Sequence, residues 1–291
     1  EVLSKKQAKV DYKITTGEAY HLDSISSRID SPIIDSLYNK LTADSHLVKG
    51  TQFNTSNFEK ERSRLTNAFR NSGVFHFSQD YIRFENDTIG TKKNVNVSVQ
   101  IQNRIIRNED SITRVPFETY RIKDVNIYTD ATFENRSKSI QDSISFENYN
   151  LYSYNKMNYL PKALTKAVLI SKGSIFRDID RSRTYRYLNE LKTFKYPNIE
   201  YIENVADTTL TANIYLTPKK KYGLGFDVNL SQSNIQKVGV SFSSGVVIRN
   251  VFKGAETLQI SVLGAIGASK DGAKTEAKFF DINELGADIK L

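Results

Sequence analysis

The chain has no cysteine and only three histidines among its 291 residues. Without cysteine there are no disulfides, thiolate metal sites or cysteine nucleophiles. That absence suits an envelope protein and a cytosolic one equally. His21, His46 and His76 share no metal-ligand spacing and fall in separate stretches, so no metal centre is expected. No Gly-rich phosphate loop, nucleophile elbow or HExxH run occurs. No catalytic residue and no cofactor is therefore assigned. Asp178-x-Asp180 opens a helical stretch, where acids serve as caps and dipole partners far more often than as metal ligands. Also missing is any run near the roughly 20 apolar residues of a spanning helix, which leaves membrane contact to strands or surface. The polar start Glu1–Lys9 reads as a mature or trimmed end, upstream of which an export signal could have been lost.

What the chain does have is enough apolar residue for packed cores: 39% hydrophobic, with 16 Tyr and 16 Phe. Wholesale disorder is excluded on that ground, and the length suits about two domains. The net charge of +8 is scattered among 33 acids, so no nucleic-acid partner is expected. The densest basic run, Lys219-Lys220-Lys221, fits a solvated surface or a phosphate-facing patch.

A duplication organises the first two thirds. Lys49-Gly50-Thr51-Gln52-Phe53 returns as Lys172-Gly173-Ser174-Ile175-Phe176, each opening a charged helical stretch that leads to alternating strands. In the first copy, Val10–Ile14 alternates as a strand, and Tyr20-His21-Leu22 resumes after Gly17. Ser31-Pro32 reads as a helix start, serine capping free amides and proline fitting the first helical position. Ser56 and Glu59 have the spacing of a capping box for a second helix. Strands follow at Tyr81–Glu85 and at Val95, Val97, Val99 and Ile101, which alternate with polar residues. The order is β-α-α-β-β, with helices covering one sheet face.

The second copy starts at Tyr120-Arg121-Ile122, with helices from Pro161 and around Tyr185–Leu191, then strands at Asn198–Glu203 and Leu210–Leu216. Between tyrosines the copies are offset by 100, between glycines by 123 (120 − 20 against 173 − 50), so the second holds 23 extra residues. These are placed in an inserted loop at about 131–158, with one strand expected at Ser145–Leu151. The domains are then a linker 1–8, a module 9–103, a linker 104–116, a second module 117–218, and a strand region 219–291.

From Tyr222 the character changes. Leu224, Phe226, Val228 and Leu230 alternate with Gly225, Asp227, Asn229 and Ser231, and the habit continues through Val238–Phe242, Leu258–Ile266 and Leu285–Leu291. A transmembrane barrel wall produces this pattern, lipid on one parity and a wet lumen on the other. A soluble antiparallel sheet with one buried face produces it as well.

The β-α-α-β-β modules, each with Lys-Gly-x-x-Phe before its second helix, resemble POTRA domains. Leu216-Thr217-Pro218, the strand after it, and Arg249-Asn250-Val251-Phe252-Lys253-Gly254-Ala255-Glu256 resemble the entry to a BamA/TamA-type barrel. The Asn-x-Phe-x-Gly-Ala-Glu run favours the TamA-like branch. BamA proper and two-partner secretion transporters are the neighbouring readings, and a soluble periplasmic binding protein with a C-terminal β-sandwich is the rival from another class. The resemblance covers nearly all of residues 9–291. It implies a fold of α+β POTRA modules followed by the first antiparallel strands of a transmembrane β-barrel. Such barrels have about sixteen strands against perhaps four here, so the chain reads as part of a longer protein.

The resemblance further implies a Gram-negative outer-membrane location with the POTRA modules in the periplasm, and ATP-independent insertion or export of envelope proteins, or lipid traffic in some relatives. The partners implied are unfolded outer-membrane protein clients, outer-membrane lipid, and a periplasmic or inner-membrane assembly partner. An open POTRA edge can add a client strand by β-augmentation. The edge expected in module one is Tyr81, Ile82, Arg83, Phe84 and Glu85. In module two it is Asn198, Ile199, Glu200, Tyr201, Ile202 and Glu203. A blunted edge is the alternative for each. The strand at about Tyr222–Asn234 resembles a lateral gate, carried by Gly223, Leu224, Gly225, Phe226, Asp227, Val228, Asn229 and Leu230. Its glycines either weaken pairing or relieve crowding at the turn into the barrel. Gly254-Ala255-Glu256 fits a carboxylate at a barrel rim or a plain turn.

Overall fold

The computed structural model describes residues 2–4, 7–8, 10–13, 15–108, 111–232, 236–269 and 282–291. It divides into two units, Glu1–Glu118 and Thr119–Leu291.

The first unit begins with a short antiparallel pair, β1 (Val2–Ser4) and β2 (Gln7–Ala8), where a plain linker is expected. Val10–Lys13 form no strand, contrary to the alternation there, and Ile14 lies outside the described residues. Then come β3 (His21–Ile29), α1 (Pro32–Leu41), α2 (Thr55–Asn71), β4 (Ile82–Asp87) and β5 (Asn94–Ile101). The sheet runs β3-β5-β4, with β5 parallel to β3 and antiparallel to β4. Val95, Val97, Val99 and Ile101 of β5 all point inward and are at most 2% exposed. There Val99 and Ile101 share a core with Ile34 and Tyr38 of α1 and Leu65 and Phe69 of α2.

Both expected helix caps in this unit are reassigned. Ser31 makes no cap to α1. Its hydroxyl is buried and accepts instead from the Phe117 amide at 3.1 Å, which pins the end of the unit. At α2 the cap is Asn54, whose side chain accepts from the Ser56 amide, so Ser56 is already inside the helix. The expected strand Tyr81–Glu85 starts one residue later, because Tyr81 closes a 3-10 turn. The stretch 104–116, expected as a linker, holds a two-stranded ribbon, β6 (Arg104–Asn108) and β7 (Ser111–Val115). Its Ile105, Ile106, Ile112, Thr113 and Val115 are β-branched and favour pairing; residues 109–110 lie outside the described set.

In the second unit the elements are β8 (Arg121–Tyr128), β9 (Asp142–Phe146), β10 (Tyr149–Ser153), α3 (Pro161–Thr165), α4 (Asp178–Glu190), β11 (Phe194–Asn204) and β12 (Thr209–Pro218). The sheet order is β11-β12-β8-β10-β9. The inserted loop expected at 131–158 therefore holds a hairpin over 142–153, two strands where one was expected at Ser145–Leu151, with β10 lying parallel to β8 and β9 at the sheet edge. Burial explains it: Leu151 and Ser153 face the core while Tyr152 faces out onto a ladder of stacked rings with Tyr128 and Tyr215. The chain then runs into β13 (Tyr222–Ser231), β14 (Gln236–Arg249), β15 (Thr257–Ser269) and β16 (Ile282–Lys290), an antiparallel meander in that order. Asn234, expected at the end of the first of these strands, lies outside the described residues.

The duplicated pentapeptide has one structural job in both copies. Gly50 and Gly173 sit at φ +82° and +79°, a left-handed backbone that glycine adopts at little cost. The turn lays the next residues against the module's first strand. Gly50 N donates to Leu22 O at 2.6 Å, and Phe53 N to Tyr20 O at 2.7 Å. In the second copy Gly173 N donates to Ile122 O at 2.7 Å, and Phe176 N to Tyr120 O at 2.8 Å. Each latch is an isolated antiparallel bridge, His21 with Gln52 and Arg121 with Ile175.

Candidate functional site

Three backbone edges and one sheet face stand out. In β13–β16 the register sorts side chains into two populations. Leu224, Val246, Ile260 and Ile289 form one cross-strand row, and Val228, Phe242, Gly264 and Leu285 another. These share a face, and on β13 its side chains Leu224, Phe226, Val228 and Leu230 are 63–80% exposed. Leu285 reaches 90%. Rows on the opposite face read Gly225-Gly245-Ser261-Asp288 and Asp227-Ser243-Leu263-Gly286. This small and polar face holds a trough of about 430 Å³.

An apolar face of this size left in water is costly, at about 25 cal/mol for each Å² that burial would remove. Among the described residues no second sheet and no helix covers it. Crowding does not account for Gly225, since a Cβ built there meets nothing within 4 Å. At Gly245 it does, because a Cβ would stand 3.3 Å from that of Ser261. Gly223 through Leu230 all lie on β13, which among the described residues pairs only with β14 and ends the sheet.

The other two edges belong to the modules. Ile82, Arg83, Phe84 and Glu85 lie on β4, at one end of its sheet; Tyr81 falls just before it. Phe84 is held under the Arg62 guanidinium at 5.4 Å and against Phe58, and Glu85 accepts from the Gln100 amide group. Asn198, Ile199, Glu200, Tyr201, Ile202 and Glu203 lie on β11, at an end of the second sheet. Ile199 is buried, Tyr201 packs on Phe176, and Glu203 accepts from the Tyr120 hydroxyl. The side chains are thus largely spoken for, and the outer backbone groups are what each edge offers. Beside β11, Arg181, Ser182 and Tyr185 of α4 form with Pro197, Asn198 and Ile199 a groove of about 340 Å³. A bulge between Lys195 and Asn198 and the missing N–H of Pro197 shorten the usable edge.

The turn between β14 and β15 ties the four-stranded sheet to the second module. Asn250, Lys253 and Ala255 all have left-handed backbones, at φ 56°, 65° and 62°. Such residues persist where surroundings over-determine them. Here Leu160 N donates to Lys253 O at 2.7 Å, Asn250 Nδ2 to Asn158 O at 2.8 Å, and the buried Thr193 hydroxyl to Ala255 O at 2.7 Å. Glu256 is no free rim carboxylate: one oxygen accepts from the Phe252 amide within the turn, and the other is sealed without a partner. Thr193 and Asn158, which receive this turn, carry no signal in the sequence, since their role depends on a contact about 60 to 90 residues away.

No family profile and no curated protein sequence matches the chain. Solved structures do. BamA from Haemophilus ducreyi lacking POTRA domains 1–3 is 9% identical, with a TM-score of 0.49 over 88% of this chain and 44% of its own. CdiB from Acinetobacter baumannii is 11% identical, with a TM-score of 0.38 over 92% and 43%. Haemophilus influenzae BamA POTRA3-5 is 9% identical at a TM-score of 0.28, over 69% of this chain and 97% of its own. The chain spans less than half the length of the first two. At these identities and TM-scores the likeness assigns no residue roles. The arrangement itself is plain from the chain: POTRA-like α+β modules followed by an antiparallel sheet.

Proposed function

We propose that the chain belongs to an outer-membrane β-barrel protein of the kind that inserts or exports envelope proteins without ATP, with its two modules in the periplasm of a Gram-negative cell. The observation that carries this is the two-faced sheet β13–β16: apolar and uncovered on one side, small and polar on the other. Lipid is the cover that such a face fits. Within that class the Asn-x-Phe-x-Gly-Ala-Glu turn at Asn250–Glu256 favours a TamA-like protein, and its bonds to the second module give the run a structural purpose.

In this reading the modules receive unfolded outer-membrane protein clients as added strands. Ile82–Glu85 on β4 and Asn198–Glu203 on β11 supply the unpaired backbone, and the groove beside Tyr185 takes alternate client side chains. β13, with Gly223 to Leu230, is the strand from which a client sheet grows or through which the barrel opens. Outer-membrane lipid and an assembly partner in the periplasm or inner membrane complete the expected contacts.

Vesicle flotation tests the class. Mixed from detergent with phosphatidylcholine vesicles, the chain is expected to float and to resist carbonate extraction. A version lacking residues 219–291 is expected to stay in the aqueous fraction. A chain that remains soluble and monomeric without detergent would point instead to a covered sheet, as in a soluble binding protein. Photo-crosslinking from Tyr185 and Ile202 to an unfolded barrel client tests the edge. Labelling from Lys60, on the outer face of α2, is expected to stay at background.

A further inference from the structure

Where the second module meets the four-stranded sheet, a cavity of about 260 Å³ is lined by Lys156, Lys219, Lys221 and Arg249. The single carboxylate in its wall, Asp130, is already taken. It accepts from the Tyr154 amide at 2.8 Å and from the Asn155 amide and side chain at 3.1 and 2.8 Å. Three lysines and an arginine therefore share the wall with one carboxylate, whose oxygens are already engaged by neutral donors. Arg249 Nη1 donates to Lys220 O at 2.9 Å, but its Nε is sealed from solvent with no hydrogen-bond partner. Among the described residues no carboxylate pairs with Lys156, Lys219, Lys221 or Arg249.

We infer that this cavity binds a phosphate group. A guanidinium offers the planar fork that phosphate oxygens match, and lysines add charge without geometric demand. The volume admits a phosphate but not a folded partner. The backbone that carries the basic side chains is fixed: the Lys219 amide donates to Thr193 O at 2.9 Å and the Arg249 amide to Lys221 O at 2.8 Å, so both segments are pinned before any ligand arrives. The phosphate is either that of an anionic lipid headgroup or a free one. The lipid source rests on the membrane reading above; the free source does not.

Phosphorus NMR of the chain in uncharged detergent micelles separates these. One titration uses inorganic phosphate and another uses micelles doped with phosphatidylglycerol, with diacylglycerol as the phosphate-free control. Saturable line broadening is expected, with affinity falling about tenfold or more in Lys219→Gln with Lys221→Gln, and likewise in Arg249→Lys, which keeps the charge but loses the fork. Response to phosphatidylglycerol alone assigns a lipid site, and response to inorganic phosphate assigns a free-anion site. No saturable response to either, or an unchanged affinity in both variants, overturns the inference. A double Lys92→Gln, Lys93→Gln variant in the first unit is expected to bind normally; weakened binding there would reduce the site to general charge and overturn it too. Flotation with phosphatidylcholine fails or succeeds independently, so the loss of this site and the loss of the membrane reading remain distinguishable.

Discussion

The two modules solve one backbone problem with different chemistry. In each, a side chain on the second helix must hold an amide four residues before the latch glycine. In the first module it is Glu61, which accepts from the His46 amide at 2.9 Å and the Ser45 hydroxyl at 3.0 Å. Arg64 grips both of its oxygens, at 2.6 and 2.9 Å. In the second it is Thr184, fully buried, whose hydroxyl accepts from the Leu169 amide at 2.9 Å. Thr184 and Leu169 stand 123 positions after Glu61 and His46, the spacing that also separates Gly173 from Gly50. One module anchors its loop with a charge and a counter-charge, the other with a neutral hydroxyl. The backbone requirement is shared, and the ionic cost of meeting it is not.

The comparison breaks most visibly at Glu61. Glu61→Ala takes from Arg64 the carboxylate it grips and leaves the His46 amide without its acceptor, for an expected loss of about 3–5 kcal/mol. Hydrogen exchange followed by mass spectrometry should show it in residues 15–108 and leave 119–218 protected; equal loss in both would refute separate anchoring. Acid titration asks the same question without a mutation. Burial pushes the Glu61 carboxyl up, but Arg64, the His46 amide and Ser45 outweigh it and hold the group below its ordinary value of 4.5. A depressed carboxyl stabilises the fold fully above its unfolded pKa and loses that contribution as pH falls through the lower, folded value. The first unit is thus expected to lose protection in acid below the ordinary carboxylate range. Thr184 gives the second module no such term. Glu61→Gln should flatten the acid response.

Thr184→Val is expected to cost less, about 1–3 kcal/mol for one unsatisfied buried amide, measured by exchange at Leu169. Smaller again are Gly50→Ala and Gly173→Ala. Space is free at both, so only the left-handed backbone resists, at about 1–2 kcal/mol each. Markedly unequal costs would show that the two latches are not equivalent. Least of all are Lys49→Ala and Lys172→Ala. These break exposed ion pairs to Asp23 at 3.2 Å and Asp124 at 2.7 Å, worth about 0–1 kcal/mol in denaturant melts.

The latches were legible because glycine at a left-handed turn leaves a spelling that survives duplication. The Glu61–Thr184 equivalence was not, since carboxylate and hydroxyl look unrelated in a sequence and only the shared amide partner reveals them. The caps misled for a related reason. Ser31 has the right neighbours for a helix start, yet Phe117, far along the chain, claims its hydroxyl. Of the hairpin β9–β10 the sequence suggests only one strand, at Ser145–Leu151, because two five-residue strands rich in Tyr, Asn and Ser carry little apolar pattern, and of the paired Leu151 and Ile144 only Leu151 is fully buried. Of the site, the strands at all three edges could be read from period alone. The basic cavity could not: Lys219 to Lys221 stood out as a run, whereas Arg249 and Lys156 join it only through the fold. The hairpin also changes what the second module can offer. It covers β8 at Asn126–Tyr128, whereas on β3 the matching stretch has its outer backbone unpaired among the described residues.

The turn at Asn250–Glu256 gives β13 a direction. Its start is pinned twice, by Lys219 to Thr193 and by Arg249 to Lys221, next to a turn bonded into the module. Its far end at Ser231 has, among the described residues, only the β14 ladder and the chain connection into β14. Any loosening of β13 is expected near Leu230, at the end away from the second module, before it reaches Tyr222.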